Sequence, residues 1–134
     1  MKTIVYALAL LVSGAVLLSF SYNQSKPWPV PDKYEKMTNP VKDDGEALKA
    51  GRATWVKHCQ SCHGKTGLGD GTKAAQLETA MVDFTTSEVQ GQSDGALFYK
   101  TLEGRDEMPT FKKKIPDAEQ IWEVISYVRS LKAK

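Results

Sequence analysis

Only two cysteines occur among the 134 residues, so the disulfide framework that staples many small secreted domains is excluded. A chain this short forms one small domain with a modest core, and some other device must supplement that core. Charge of one sign is also lacking: 18 Lys and Arg stand against 16 Asp and Glu, a formal net charge of +2 spread along the chain. No strong field draws it to nucleic acid or to an anionic surface, and no nucleic-acid partner is expected. Runs alternating apolar and polar residues are missing, so the class is all-α. The glycines at Gly64, Gly67, Gly69 and Gly71 lack the Gly-Lys-Ser/Thr ending of a phosphate loop. They read as a turn-rich loop whose backbone lies close to a cofactor edge.

What is present begins with an address. After Lys2, the stretch Ile4 to Phe20 carries no charge and has the form of an export signal or membrane anchor. It is longer than a usual signal core of roughly 7 to 15 residues and at the short limit of the roughly 17 to 25 that span a bilayer. Ser19-Phe20-Ser21 offers small residues at alternate positions for a peptidase, so residues 1–21 are either a cleaved signal peptide or a retained anchor. Residues 22–43 hold Pro27, Pro29, Pro31 and Pro40 and read as an extended strap with at most one helical turn. Trp28, Val30, Tyr34 and Met37 are too apolar for a solvated tether, so the strap is expected to lie across the surface of a domain formed by residues 44–134.

Both cysteines fall in Cys59-Gln60-Ser61-Cys62-His63, a Cys-x-x-Cys-His pentapeptide. Thiols at that spacing add to the two vinyl groups of a haem, and the imidazole that follows is carried beneath the iron. A redox dithiol would sit at a helix start in a βαβ pattern, which no preceding strand supplies. A structural zinc site needs four ligands, and only His58 is left over. A disulfide within the motif would close a very small loop and leave His63 without a purpose. The pentapeptide therefore points to one covalent haem c, with Cys59 and Cys62 as thioether attachments and His63 as proximal ligand of the iron.

The sixth position of that iron takes a second His, a Met sulfur or water. His58 adjoins the motif and is not expected to reach the opposite face. Met108 is the chosen ligand: it follows the polar turn of Gly104, Asp106 and Glu107, and Pro109 stiffens the backbone behind it. Met81 reads as packing, and Met37 lies in the strap. Thioether ligation favours ferrous iron and suits one-electron shuttling, and two filled axial positions leave no place for a substrate, so no enzymatic activity is expected.

Around the motif, Asp44 is placed to cap a helix from Gly45 to His58, with Leu48, Gly51, Trp55 and Cys59 on one face. A third short helix starts at Ser93-Asp94 and carries Leu97, Phe98 and Leu102. Pro116-Asp117-Ala118-Glu119 opens the last helix, whose apolar face is Ile121, Trp122, Val124, Ile125, Val128 and Leu131, with Arg129 and Lys132 at its negative end. Gly51 removes a side chain where the last helix would cross, beside Trp55 and Tyr127. Phe84 is expected against the haem pocket, and Lys112, Lys113 and Lys114 as a basic rim for an acidic redox partner.

His58 through Gly64, the Gly67-x-Gly69-Asp70-Gly71 loop, Asp83-Phe84-Thr85, Met108-Pro109-Thr110-Phe111 and Ile121 through Leu131 together resemble a small bacterial class I cytochrome c. The resemblance covers about Asp44 to Leu131. It implies three to five helices around one covalent haem c, ligated by His63 and Met108, and a role in electron transport in the periplasm between protein partners that the sequence does not identify. An anchored haem subunit of a larger complex, held in the membrane by Ile4 to Phe20, is the first alternative. A haem enzyme or gas sensor with an open sixth position is the second.

Overall fold

Asp44 does what its position predicts: its carboxylate accepts the amides of Glu46 and Ala47 at 3.1 and 3.0 Å, satisfying two of the donors that a helix start leaves open. In the computed structural model, which describes residues 27–41 and 44–133, the helix so capped runs Gly45–His58. In chain order the helices are α1 (Asp32–Glu35), α2 (Gly45–His58), α3 (Gln60–His63), a 3₁₀ turn (Ala74–Gln76), α4 (Ser87–Gln90), α5 (Asp94–Glu103) and α6 (Ala118–Ser130). Ser93 caps α5 through the amide of Ala96, and Asp117 caps α6 through that of Glu119. Three helices, α2, α5 and α6, carry the architecture, and three single-turn segments bring the number among the described residues to six. No strand occurs among the described residues; the nearest feature is an isolated bridge between Arg105 and Met108.

The core lies where α2 and α6 cross. Trp55, Ile121, Val124, Ile125 and Val128 are buried there, and Phe98 of α5 stacks on Trp122 at 4.1 Å between ring centroids. Gly51 sits at the crossing itself, its Cα facing the Glu123 carbonyl group at a distance that leaves no room for a side chain. Trp55 and Tyr127 flank the contact with ring centroids 5.7 Å apart. Arg129 does more than complement the end of α6: its guanidinium bonds the Asp94 carboxylate and the carbonyls of Gln90 and Gln92, tying α6 to the start of α5.

The strap is laid over this core. Tyr34 of α1 packs between Phe98 and Tyr99, and Gly95 gives the Tyr34 carbonyl room to approach α5. The Asn39 side-chain amide donates to the Trp122 carbonyl at 3.0 Å and the Ser126 hydroxyl at 2.9 Å, which accounts for a polar Ser126 in the core. The segment Ile4 to Phe20, read as signal or anchor, lies outside the described residues, as do strap residues 22–26 and 42–43.

Candidate functional site

α2 ends at Cys59, whose backbone leaves the helix with φ −116°, and the chain makes one further turn as α3. The amides of Cys62 and His63 both return to the Cys59 carbonyl, at 3.2 and 3.0 Å, so both thiols and the imidazole stand on one short turn. The next residue, Gly64, has φ 85°, where a side chain would be strained. Its buried carbonyl accepts the Trp55 indole N–H at 3.0 Å. The Trp55 ring centroid is 5.8 Å from that of His63, and Phe84 meets His63 edge-on at 5.0 Å, so two aromatic rings fix the imidazole plane. Replacing Trp55 with Phe keeps the ring and strips the donor. The orphaned Gly64 carbonyl is expected to cost the folded protein about 1–3 kcal/mol, read as a lower denaturant midpoint; an unchanged midpoint would show that this bond contributes nothing.

The glycine loop has another function than the one its composition suggests. The amides of Gly69, Gly71 and Lys73 donate to the carbonyls of His63, Cys62 and Ser61 at 3.0, 3.2 and 2.8 Å, so the loop satisfies the open carbonyls at the end of α3. Gly71 approaches the Ser61 and Cys62 backbone, Gly67 the Phe84 and Leu131 side chains, and Gly69 the cleft-lining Met81. Phe84 lies behind His63, against Trp55, and is not among the residues lining the cleft described next.

Cys59, Cys62, His63 and Met108 all line a single cleft that is partly open to solvent. His58, Leu77, Met81, Glu107, Pro109 and Phe111 complete its wall. His58 and Met81, set aside in the sequence, thus reach the same space; Leu77 carried no signal of its own. Met108 is presented by a tight hairpin in which Arg105 and Met108 exchange both backbone hydrogen bonds at 2.9 Å around Asp106-Glu107, with Asp106 at φ 52°. The Glu107 carboxylate accepts the Thr79 amide at 2.7 Å, joining the hairpin to the loop that carries Met81 and holding the carboxyl below its ordinary pKa. Lys112 is paired with Glu103 at 2.7 Å, and Lys114 lies over the Phe111 ring, so the expected basic rim is in part already engaged.

The chemistry of these donors fits a covalent haem. Burial lowers the His63 pKa, which keeps the imidazole neutral and able to donate to a metal, and its buried Nδ1 has no hydrogen-bond partner. Burial, and then the neighbouring Cys62, push the Cys59 thiol up to about 12, so it is a poor thiolate for disulfide exchange. Both thiols are free and open onto apolar walls.

The fold and cleft define a small c-type cytochrome with one haem. Residues 46–128 match the family model described as cytochrome C oxidase, cbb3-type, subunit III, and the chain belongs to that family. The cofactor is accordingly haem c, covalently bound, with its iron. Among solved structures, the chain is similar to one from the Kuenenia stuttgartiensis reducing HAO-like protein complex Kustc0457/Kustc0458, with 28% identity, a TM-score of 0.63, 82% of this chain and 53% of that one covered. It thus spans about half of that relative's length. A second, the KustC0563 c-type cytochrome, is 28% identical with a TM-score of 0.54, covering 62% of this chain and 98% of that one. No curated protein matches. Proteins of this kind carry electrons and are generally extracytoplasmic; no helix among the described residues is long and apolar enough to cross a membrane.

Proposed function

We propose that this chain is a one-electron carrier outside the cytoplasmic membrane, in a respiratory or related redox chain, and that it changes no bond in a substrate. Cys59 and Cys62 hold the cofactor as thioethers, His63 is the proximal ligand and Met108 the distal one. Residues 1–21 serve export, residues 22–43 form the strap, and residues 44–134 are the haem domain. The observation that carries the reading is that one apolar cleft is lined by both thiols, the neutral imidazole and the thioether. When bound, haem c supplies a reversible ferric/ferrous couple. The chain's own part is to hold the imidazole plane with Trp55 and Phe84, to present a soft sulfur that favours the ferrous state, and to exclude water with Leu77, Pro109 and Phe111.

Donor and acceptor are redox proteins. Carboxylates of Glu78, Asp106 and Glu107 line a hollow that shares Glu107 with the cleft, and Lys114 lies beside the cleft-lining Phe111, so a docking partner there meets charges of both signs. A second reading is favoured by the family's description as an oxidase subunit and by the complex in which one relative occurs: a haem subunit of a larger assembly, anchored through Ile4 to Phe20. Carbonate washing of membranes separates the two, since only an anchored chain stays in the pellet.

The test of the carrier role is the optical spectrum of the exported protein, oxidised and reduced, with and without carbon monoxide. A haem spectrum that carbon monoxide leaves unchanged is expected. Rapid carbon monoxide binding would instead mean an open sixth position and a gas-binding or enzymatic role.

A further inference from the structure

The strap supplies none of the residues that line the cleft, yet its first described residues grip the hairpin that presents Met108. Arg105 donates from Nη1 to the Pro27 carbonyl at 3.0 Å, and its guanidinium lies 4.5 Å from the centre of the half-buried Trp28 ring. Lys100 of α5 reaches the same ring at 5.7 Å, so two cations from the haem domain converge on one indole. Arg105 is also the residue whose backbone exchanges both hydrogen bonds with Met108, and Gly104 behind it packs on the Met108 and Pro109 backbone.

Two further attachments fix the strap independently of the hairpin. α1 is held on α5 by Tyr34 and by the Ser93 hydroxyl donating to Glu35 at 2.7 Å, and Asn39 is bonded to α6. Trp28 therefore stands on a base anchored to the core. On its hairpin the Glu107 carboxylate is latched to the Thr79 amide and Arg105 pairs with Asp106, so the strap adds a third hold on an element whose own two backbone bonds enclose a residue with positive φ.

We propose that the strap is a clamp, in which Trp28 and the Pro27 carbonyl act through Arg105 to hold the 105–108 hairpin and keep the Met108 thioether in the cleft. Trp28 is a positioning residue in this scheme, and its effect on the iron rests on the assignment of Met108 as distal ligand.

The experiment uses the full, haem-loaded chain as wild type, Trp28→Ala, Trp28→Phe and Asn39→Ala. Two readouts are taken: amide hydrogen exchange at Arg105 and Met108, and the carbon monoxide association rate of the ferrous protein. Trp28→Ala is expected to speed both by about tenfold, equivalent to about 1.4 kcal/mol for the lost ring contacts. Trp28→Phe retains an aromatic face and restores much of the difference. Asn39→Ala removes one anchor of the base while α1 remains, and is expected to lower thermal stability and to change both readouts less than Trp28→Ala does. Wild-type exchange and wild-type carbon monoxide rates in Trp28→Ala would overturn the clamp. If the wild type itself binds carbon monoxide freely, Met108 is not a ligand and the clamp has no thioether to position. Hydrogen exchange then still reports whether the strap holds the hairpin, which keeps the two failures apart.

Discussion

In a Met108→Ala protein the weak sulfur-to-iron absorption band at the red edge of the ferric spectrum is expected to vanish. Carbon monoxide should bind the ferrous form, and the reduction potential should fall by on the order of 0.1 V or more, within the roughly 0.8 V span that axial ligands command. The direction follows from the sulfur, a soft donor that stabilises ferrous over ferric iron. Alanine leaves the hairpin intact, because the bonds between Arg105 and Met108 are made by backbone alone. The change is thus confined to the ligand. A retained band would move the assignment to Met81, the other thioether lining the cleft, and carbon monoxide exclusion with no sulfur band would move it to His58.

Gly51→Ala should unfold the haem-loaded protein at a lower temperature, by up to about 15 °C. Helix propensity alone would make this substitution stabilising, by about 1 kcal/mol in the interior of a helix. Opposing it, a Cβ at residue 51 would lie 2.5 Å from the Glu123 carbonyl carbon and inside the contact radius of its oxygen. Those atoms belong to the backbone of α6 and have no rotamer to escape into, so the helices must separate. Overpacking of this kind costs typically 1–3 kcal/mol and occasionally more. For a domain of this size each kcal/mol lowers the melting temperature by roughly 4–8 °C. The sign is therefore diagnostic: a melting temperature equal to or above that of the wild type would mean that α2 and α6 do not approach closely at residue 51.

The bounds of α2 and the crossing at Gly51 were readable from sequence because caps, periodicity and the loss of a side chain are local signals. The convergence on one cleft was readable in part, since Cys59, Cys62 and His63 are fixed to each other by a single turn. Other assignments fell to contacts between distant residues. Asn39 looks like a turn residue among prolines, and only the folded chain brings its amide to Trp122 and Ser126. Arg129 fits the negative end of its helix on local grounds, and its bond to Asp94 arises from the packing of α6 beside α5. The glycine loop was read toward a cofactor, whereas its amides are spent on the carbonyls that end α3. His58 and Met81 reach the cleft through the paths of α2 and of the loop latched by Glu107, which residue type does not reveal.

The docking of α2 against α6 joins two segments that are made far apart in time. A growing chain produces the thiols of Cys59 and Cys62 well before Ala118–Ser130 exists, so the face of Gly51 and Trp55 has nothing to pack against when the pentapeptide first appears. In the folded chain α6 covers that face, Trp55 donates to the Gly64 carbonyl, and Cys59 is buried from bulk solvent while still lining the cleft.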